Sequence, residues 1–390
     1  MPDISFKNTE IAFQSKTAGE LRRAHLLFKA LGLTWLVNAG PRLLSINFSL
    51  RLPVKGIIRR TVFAQFCGGE NIEDCTPAIQ NLWKYKVGTI LDYSVEGEET
   101  TAVFEACTEE IIRTIEKAKG NPAIPFSVFK VTGIARFDLL EKIAMGAALS
   151  PVEQATQEAI LHRMDMICGK AYEYSVRVFV DAEESWIQPA IDSMAETMMA
   201  RYNTRTAIVY NTVQLYLSDK LGYLKEVHKK ATSGGWQCGV KLVRGAYMEK
   251  ERERALTLGY PNPIQPSKDA SDHDYNEALK YCIENIQNTY LCAGTHNEES
   301  SMLLVELMDK HDIDKADKRI YFSQLLGMSD HISYNLADAG YNVAKYVPYG
   351  PVKAVLPYLI RRAQENTSAK GQAGRELTLI QSELRRRKGR

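Results

Sequence analysis

The chain has no Cys-x-x-Cys pair, no His-x-His or His-Glu-x-x-His spacing, and no Gly-x-Gly-x-x-Gly run. Its seven cysteines (Cys67, Cys75, Cys107, Cys168, Cys238, Cys282 and Cys292) are scattered and odd in number. That pattern excludes a disulfide framework and suits thiols packed as small hydrophobes in a reducing compartment. The missing histidine and cysteine spacings exclude the common zinc sites. No uncharged apolar run reaches the roughly 18 residues a membrane-spanning helix needs. Charge of one sign is also scarce: the formal net charge is +2, which gives no global reason to expect nucleic acid. The N-terminal MPDISFKNTEIAFQSK lacks an apolar core and carries Asp3 and Glu10, so it reads as neither a secretory signal nor a mitochondrial presequence. Short-period repeats and low-complexity linkers are missing too.

What remains is an ordinary globular composition, 45% hydrophobic and 25% charged over 390 residues. That length holds two average domains or one large α/β barrel. The first eighty residues read as helical. Thr17 and Glu20 form a capping box ahead of Leu21, and residues 71–86 suggest a helix stopped near Gly88. Residues 27–63 mix Leu, Ile, Val and Trp35 with Arg42, Arg51, Lys55, Arg59 and Arg60. They read as a helical layer on the main domain, or as a surface for peripheral membrane contact.

From residue 88 the rhythm changes. Eight short runs rich in Val, Ile, Tyr and Phe alternate with helical stretches: 88–95, 126–134, 174–183, 206–216, 238–247, 288–297, 320–328 and 342–350. The clearest helix start between them is Ser150-Pro151-Val152-Glu153, an N-cap with proline first and glutamate third. Eight strands separated by helices predict parallel βαβ units closing into a TIM barrel. An open doubly wound sheet is the alternative, and it usually carries the glycine fingerprint missing here. The expected organisation is an N-terminal helical region (1–86), an α/β barrel (87–370), and a C-terminal helix with a basic tail (371–390).

Barrel enzymes place their chemistry at the C-terminal ends of strands. Seven of the runs carry polar groups there: Lys130, Asp181, Gln214, Lys241 with Arg244, His296 with Asn297, Gln324, and Tyr346. In the fifth run, side-chain alternation puts Lys241, Val243, Gly245 and Tyr247 on one face. A lysine in mid-strand needs an anionic or electron-rich partner unless it snorkels to the rim. Gly245 opens room for a flat ligand to approach the backbone. After the last strand, Tyr358, Arg361, Arg362 and Glu365 line one helical stripe. Two guanidinium groups beside aromatic rings suit a small carboxylate with an apolar body, and an exposed stripe with an Arg361–Glu365 pair is the plainer reading.

The segments KLVRGAY (241–247), GTHN (294–297), FSQLLGM (322–328), KYVPYG (345–350) and YLIRRAQEN (358–366) resemble the signatures of the proline dehydrogenase family, in the same order. VDAEE (180–184) and FKV (129–131) fit its earlier strands, so the resemblance covers roughly residues 60–385. It implies a distorted TIM (β/α)8 barrel and non-covalent FAD. The implied reaction moves hydride from C5 of L-proline to flavin N5, giving Δ1-pyrroline-5-carboxylate and passing electrons to a membrane quinone. Arg361 and Arg362 would take the substrate carboxylate. Lys130, Asp181, Tyr247, Leu325, Tyr346 and Tyr358 would enclose the ring, with Lys130 and Asp181 as a charge pair. On the flavin side the similarity implies Gln214, Lys241, Val243, Arg244, Gly245 and Ala246. Met248, Thr295, His296, Asn297, Arg362 and Glu365 complete that set.

Two positions depart from the bacterial bifunctional members, which carry Arg at Lys241 and Trp at Met248. Lysine at 241 resembles the eukaryote-like branch and gives up a planar bidentate donor. Without an aldehyde-dehydrogenase partner domain, the chain would be monofunctional. Hydroxyproline dehydrogenases are similar but tend to carry a smaller residue at Tyr346, so a tyrosine there favours proline. Two rivals stand beside this reading. One is a Schiff-base aldolase with Lys241 as nucleophile, the other a non-catalytic barrel that scaffolds a membrane partner. The expected location is the bacterial cytoplasm, peripheral on the inner membrane, with the matrix side of the mitochondrial inner membrane as the alternative. The basic tail Arg385–Arg390 is either solvated or drawn to anionic lipid.

Overall fold

The computed structural model describes residues 4–31, 56, 58–94, 99–368 and 372–389, with backbone alone for Leu31, 363–368 and 372–373. Most of the mixed segment 27–63, including Trp35, Arg42, Arg51 and Lys55, lies outside the described residues. No described helix is long and apolar enough to cross a membrane. The eight strands form a closed parallel barrel in the order β1 to β8. They are β1 (Val87–Tyr93), β2 (Phe126–Lys130), β3 (Arg177–Asp181), β4 (Val209–Gln214), β5 (Cys238–Val243), β6 (Thr289–Gly294), β7 (Ile320–Leu325) and β8 (Val343–Tyr349). The helices used below are α1 (Thr9–Ala12), α2 (Ala18–Leu31), α3 (Thr76–Lys84), α4 (Thr101–Ala118), α5 (Phe137–Ala144) and α6 (Pro151–Tyr174). They continue with α7 (Gln188–Tyr202), α8 (Lys220–Gly234), α9 (Met248–Leu258), α10 (Lys268–Glu284) and α11 (Glu298–Lys310). The last three are α12 (Asp330–Asp338), α13 (Leu356–Ser368) and α14 (Gln372–Lys388).

The chain separates into two compact units, Gly97–Ser323 and Asp3–Glu96 with Gln324–Arg390. In the first, register places Lys130 beside Asp181 on β2 and β3, and Thr212 beside Lys241 on β4 and β5. Below those polar positions the strands present a layer of rings. Phe126 stacks on Phe179 at 4.4 Å, and Tyr210 meets both edge-on at 5.5 and 5.4 Å. Such rings bury large apolar areas and fix the strands that carry the polar ends. Helix α6 opens as its sequence predicts: the Ser150 hydroxyl accepts from Glu153 N–H, and Glu153 accepts from Ser150 N–H at 2.7 Å.

In the second unit β1 and β8 pair in parallel from Val87↔Val343 to Tyr93↔Tyr349. A core of Phe13, Leu21, Phe28, Phe66, Val355, Leu359 and Ile380 packs the N-terminal helices with α13 and α14. Helix α2 begins at the expected capping box, with Thr17 N–H donating to Glu20 at 2.7 Å and Glu20 N–H to Thr17 Oγ1 at 3.2 Å.

Three expectations are corrected. Helix α3 ends at Lys84, where Lys86 takes φ +61, and Gly88 lies inside β1. Strand β5 ends at Val243, because the chain turns at Gly245 (φ +59) and Tyr247 becomes the N-cap of α9. The shared face therefore holds for Lys241 and Val243 but not for Gly245 and Tyr247. The basic tail is helix through Lys388 rather than frayed coil: Arg386 and Arg387 both bind Glu383, and Arg387 donates to the carbonyls of Lys16 and Phe13 at 2.8 and 2.9 Å.

Candidate active site

In the first unit the strand ends bring a charged cluster together. Lys241 is 4% exposed and salt-bridged to Asp181, so it does not snorkel. Its ammonium also sits 5.0 Å from the centre of the Phe179 ring, which seats the charge on the aromatic layer. That ion pair occupies the group an aldolase would need as a free amine. Gln214 is buried at the end of β4; its Nε2 donates to the Glu183 carbonyl at 2.7 Å and to the Tyr216 hydroxyl at 3.1 Å. The other side-chain atom, Oε1, is buried without a hydrogen-bond partner among the described residues. A buried acceptor left open is costly, and it suits an N–H donor from a bound group.

Past β5, Arg244 is held on three sides. It bonds Asp272 at 2.6 Å, the Thr295 hydroxyl at 2.6 Å and Ser300 Oγ at 3.2 Å, and stacks 4.0 Å from the Tyr275 ring. Asn297 caps α11 by accepting from Ser300 N–H at 2.9 Å, and its own N–H donates to Thr295 Oγ1. His296 lies half-buried between them. Val243 is half-buried at the strand end, and Gly245 and Ala246 are exposed on the turn that follows. Tyr247 and Met248, at the start of α9, are set by how that helix docks. Glu251 is fully buried and accepts from Ser185 N–H at 2.6 Å and Ser185 Oγ at 2.5 Å. Lys250 pairs with Glu184, and Arg254 pairs with Glu141 while lying 4.5 Å from the Trp186 ring.

Sequence reasoning missed Glu183 as a separate element of this cluster. Burial pushes its carboxyl up to about 7, against the opposing pull of Lys130 and of hydrogen bonds from Thr132 (N–H at 3.0 Å, Oγ1 at 2.5 Å). The sign follows: the folded state holds this proton more tightly than the unfolded chain. The associated stability is present at low pH and is lost as pH rises through about 7. Charge on Glu183 changes the field at Lys130 over the same range. A pH profile of kcat/KM should therefore bend near 7, and Glu183→Gln should remove that bend; an unchanged profile in the variant would assign the inflection elsewhere.

In the second unit Tyr346 is 8% exposed on β8 and Leu325 closes β7, where it packs on the core that contains Tyr358. Arg361 and Arg362 are half-buried on α13, and the Arg362 guanidinium lies 5.3 Å from the Tyr358 ring. The Glu365 side chain lies outside the described residues.

Residues 75–375 match the family model for proline dehydrogenase. The chain belongs to the proline dehydrogenase family. A mitochondrial proline dehydrogenase of Dictyostelium discoideum is 31% identical, over 97% of this chain and 74% of that protein. A hydroxyproline dehydrogenase of Xenopus laevis is also 31% identical, over 98% of this chain and 90% of that protein. Among solved structures, proline utilization A of Bdellovibrio bacteriovorus superposes with a TM-score of 0.72 at 20% identity. That alignment covers 94% of this chain but 37% of the longer protein, and at such identity it speaks for the fold alone.

Proposed function

We propose that the chain oxidises L-proline to Δ1-pyrroline-5-carboxylate with a non-covalent FAD and passes the electrons to a membrane quinone. The observation that carries this reading is the pair of adjacent, half-buried arginines, Arg361 and Arg362, beside Tyr358 in a member of the proline dehydrogenase family. Two guanidinium forks bind a carboxylate bidentately, and Tyr346, Tyr358 and Leu325 of the same unit supply apolar walls for a five-membered ring. Clamping one end of the substrate and walling the rest converts binding energy into orientation of the reacting carbon.

The first unit's residues fit a flavin. Gln214 Oε1 offers an unmatched acceptor to a ring N–H. A Cβ on Gly245 would meet nothing closer than Met248 Sδ at 3.5 Å, so the turn leaves open space beside β5. Lys241 and Arg244 supply positive charge, with Thr295, His296 and Asn297 as polar partners. When bound, the flavin supplies the hydride acceptor that protein side chains lack. Asp181 holds Lys241 in place, so in this reading Asp181 positions the cation proposed for the flavin. Several relatives are named as mitochondrial, which supports the mitochondrial alternative.

Anaerobic titration with L-proline, followed in the visible spectrum of the purified protein, tests the reading. Flavin absorbance that bleaches with proline supports it. A flavin that proline cannot reduce removes the substrate, and a protein that neither carries nor takes up FAD removes the cofactor. Hydroxyproline is the second reading, favoured by the relative that bears that name. Tyr346 separates the two, because a bulky ring on β8 leaves little room for a 4-hydroxyl. Tyr346→Ser should shift the ratio of kcat/KM towards hydroxyproline by about tenfold or more, the scale on which a pocket rejects or admits one small group. An unmoved ratio would take the discrimination away from this residue.

A further inference from the structure

Lys345 occupies the middle of β8, between Ala344 and Tyr346, with no exposed surface. An ammonium so placed must find acceptors for its three N–H donors. It finds the carboxylate of Asp330 at 2.8 Å, the carbonyl of Met328 at 2.7 Å and the carbonyl of Leu325 at 3.3 Å. The three span the turn from the last residue of β7, Leu325, to the first of α12, Asp330. The next residue of β8 adds a backbone tie, since Leu326 N–H donates to the Tyr346 carbonyl at 2.8 Å.

The turn needs such fastening. Gly327 has φ +76, and a Cβ there would collide with the Gln65 carbonyl. Ser329 sits at φ +50 and ψ 41, a left-handed conformation that costs a non-glycine residue about 1 kcal/mol. Glu376 of α14 accepts the Ser329 N–H, and Lys16 pairs with Asp330 at 3.1 Å. Because Asp330 keeps Lys16 as a partner, loss of Lys345 would leave that carboxylate paired. What would go is the side-chain link between the turn and β8, leaving the Leu326–Tyr346 backbone bond to hold the turn without it.

Resting on the reading that Leu325 and Tyr346 enclose the substrate ring, we propose that Lys345 is a positioning residue for substrate discrimination. It locks the turn that follows Leu325 onto the strand that carries Tyr346, and so fixes the spacing of two ring-facing side chains. Displacing such a wall by an ångström is enough to change orientation-dependent rates by orders of magnitude.

The test uses the flavin-loaded Lys345→Met enzyme with three readouts: flavin content, hydrogen exchange at the amides of Leu326 and Ser329, and the kcat/KM ratio of proline to trans-4-hydroxyproline. The expected result is wild-type flavin content, exchange at those two amides faster by about tenfold, and a discrimination ratio reduced by about tenfold, with most of the proline effect in KM. Unchanged exchange overturns the tie, and equal losses for both substrates at a constant ratio overturn the role in discrimination. If the methionine variant does not fold, Lys345→Arg, which keeps the charge but spreads its donors in a plane, is read by the same two criteria. A wild-type enzyme that fails to oxidise proline sinks the functional reading instead, and the exchange arm still decides whether Lys345 holds the turn.

Discussion

Arg361→Met is expected to lower kcat/KM for proline by about 10²-fold, most of it through KM, while leaving turnover of pyrrolidine nearly unchanged. The magnitude comes from removing one charged donor from a carboxylate that is partly shielded from water: a loss of ~3 kcal/mol, at 1.4 kcal/mol per tenfold. Pyrrolidine shares the ring and the reacting C–H bond but has no carboxylate, so it reports on everything except the clamp. Arg361→Lys should recover part of the loss, because it restores the charge but not the planar fork. Parallel losses with proline and pyrrolidine would place Arg361 in the scaffold of α13 and remove it from substrate binding.

The barrel strands were legible because each is a short apolar, β-branched run that cannot be solvated on either face. Their C-terminal boundaries were not, because the residues just past β5 and β6 (Arg244 to Tyr247, Thr295 to Asn297) continue the apolar-polar texture while leaving the sheet. Chemistry and ladder compete for those positions, and the ladder loses. The partner of Lys241 was hidden for a different reason. The need for an anion follows from a lysine in mid-strand, but its identity, Asp181, depends on register carried from β3 through β4 to β5 across 60 residues. Glu251 was masked by its neighbours: in MEKERERALTL it looks like one charge of a solvated face, yet it is fully buried against Ser185. Lys345 shows the opposite case. The argument that singles out Lys241 applies equally to a lysine within NVAKYVPYG, so its burial was readable even though its acceptors were not.

Asp330→Asn is expected to destabilise the protein more than any other single change in the second unit's charged cluster. Its carboxylate serves Lys345, which has no exposure, and Lys16, which has 20%. Removing that charge leaves Lys345 with neutral carbonyls as its hydrogen-bond acceptors and Glu376 as a remaining counter-charge, a loss of about 3–5 kcal/mol, or roughly 5 °C in Tm for a chain of this size. Burial alone would push the Asp330 carboxyl up, but Lys16 and Lys345 together bring it down to about 2. Its folded value therefore lies below the unfolded one. The contribution is intact above pH ~4 and fades as pH falls towards about 2, so thermal melts of wild type and variant should converge in acid. The double variant Asp330→Asn with Lys345→Met separates pairing from burial. If the two charges act as a unit, the second substitution should recover about half of the Tm lost to the first, since no uncompensated ammonium remains. Additive losses would mean that each charge is stabilised by its other neighbours, Glu376 and the turn carbonyls for Lys345 and Lys16 for Asp330. Recovery of stability without recovery of the proline-to-hydroxyproline ratio is the informative combination. A buried ion pair is often no more stabilising than apolar residues of its size, so a pair that can be replaced for stability but not for discrimination is held for the geometry it imposes on the turn after Leu325.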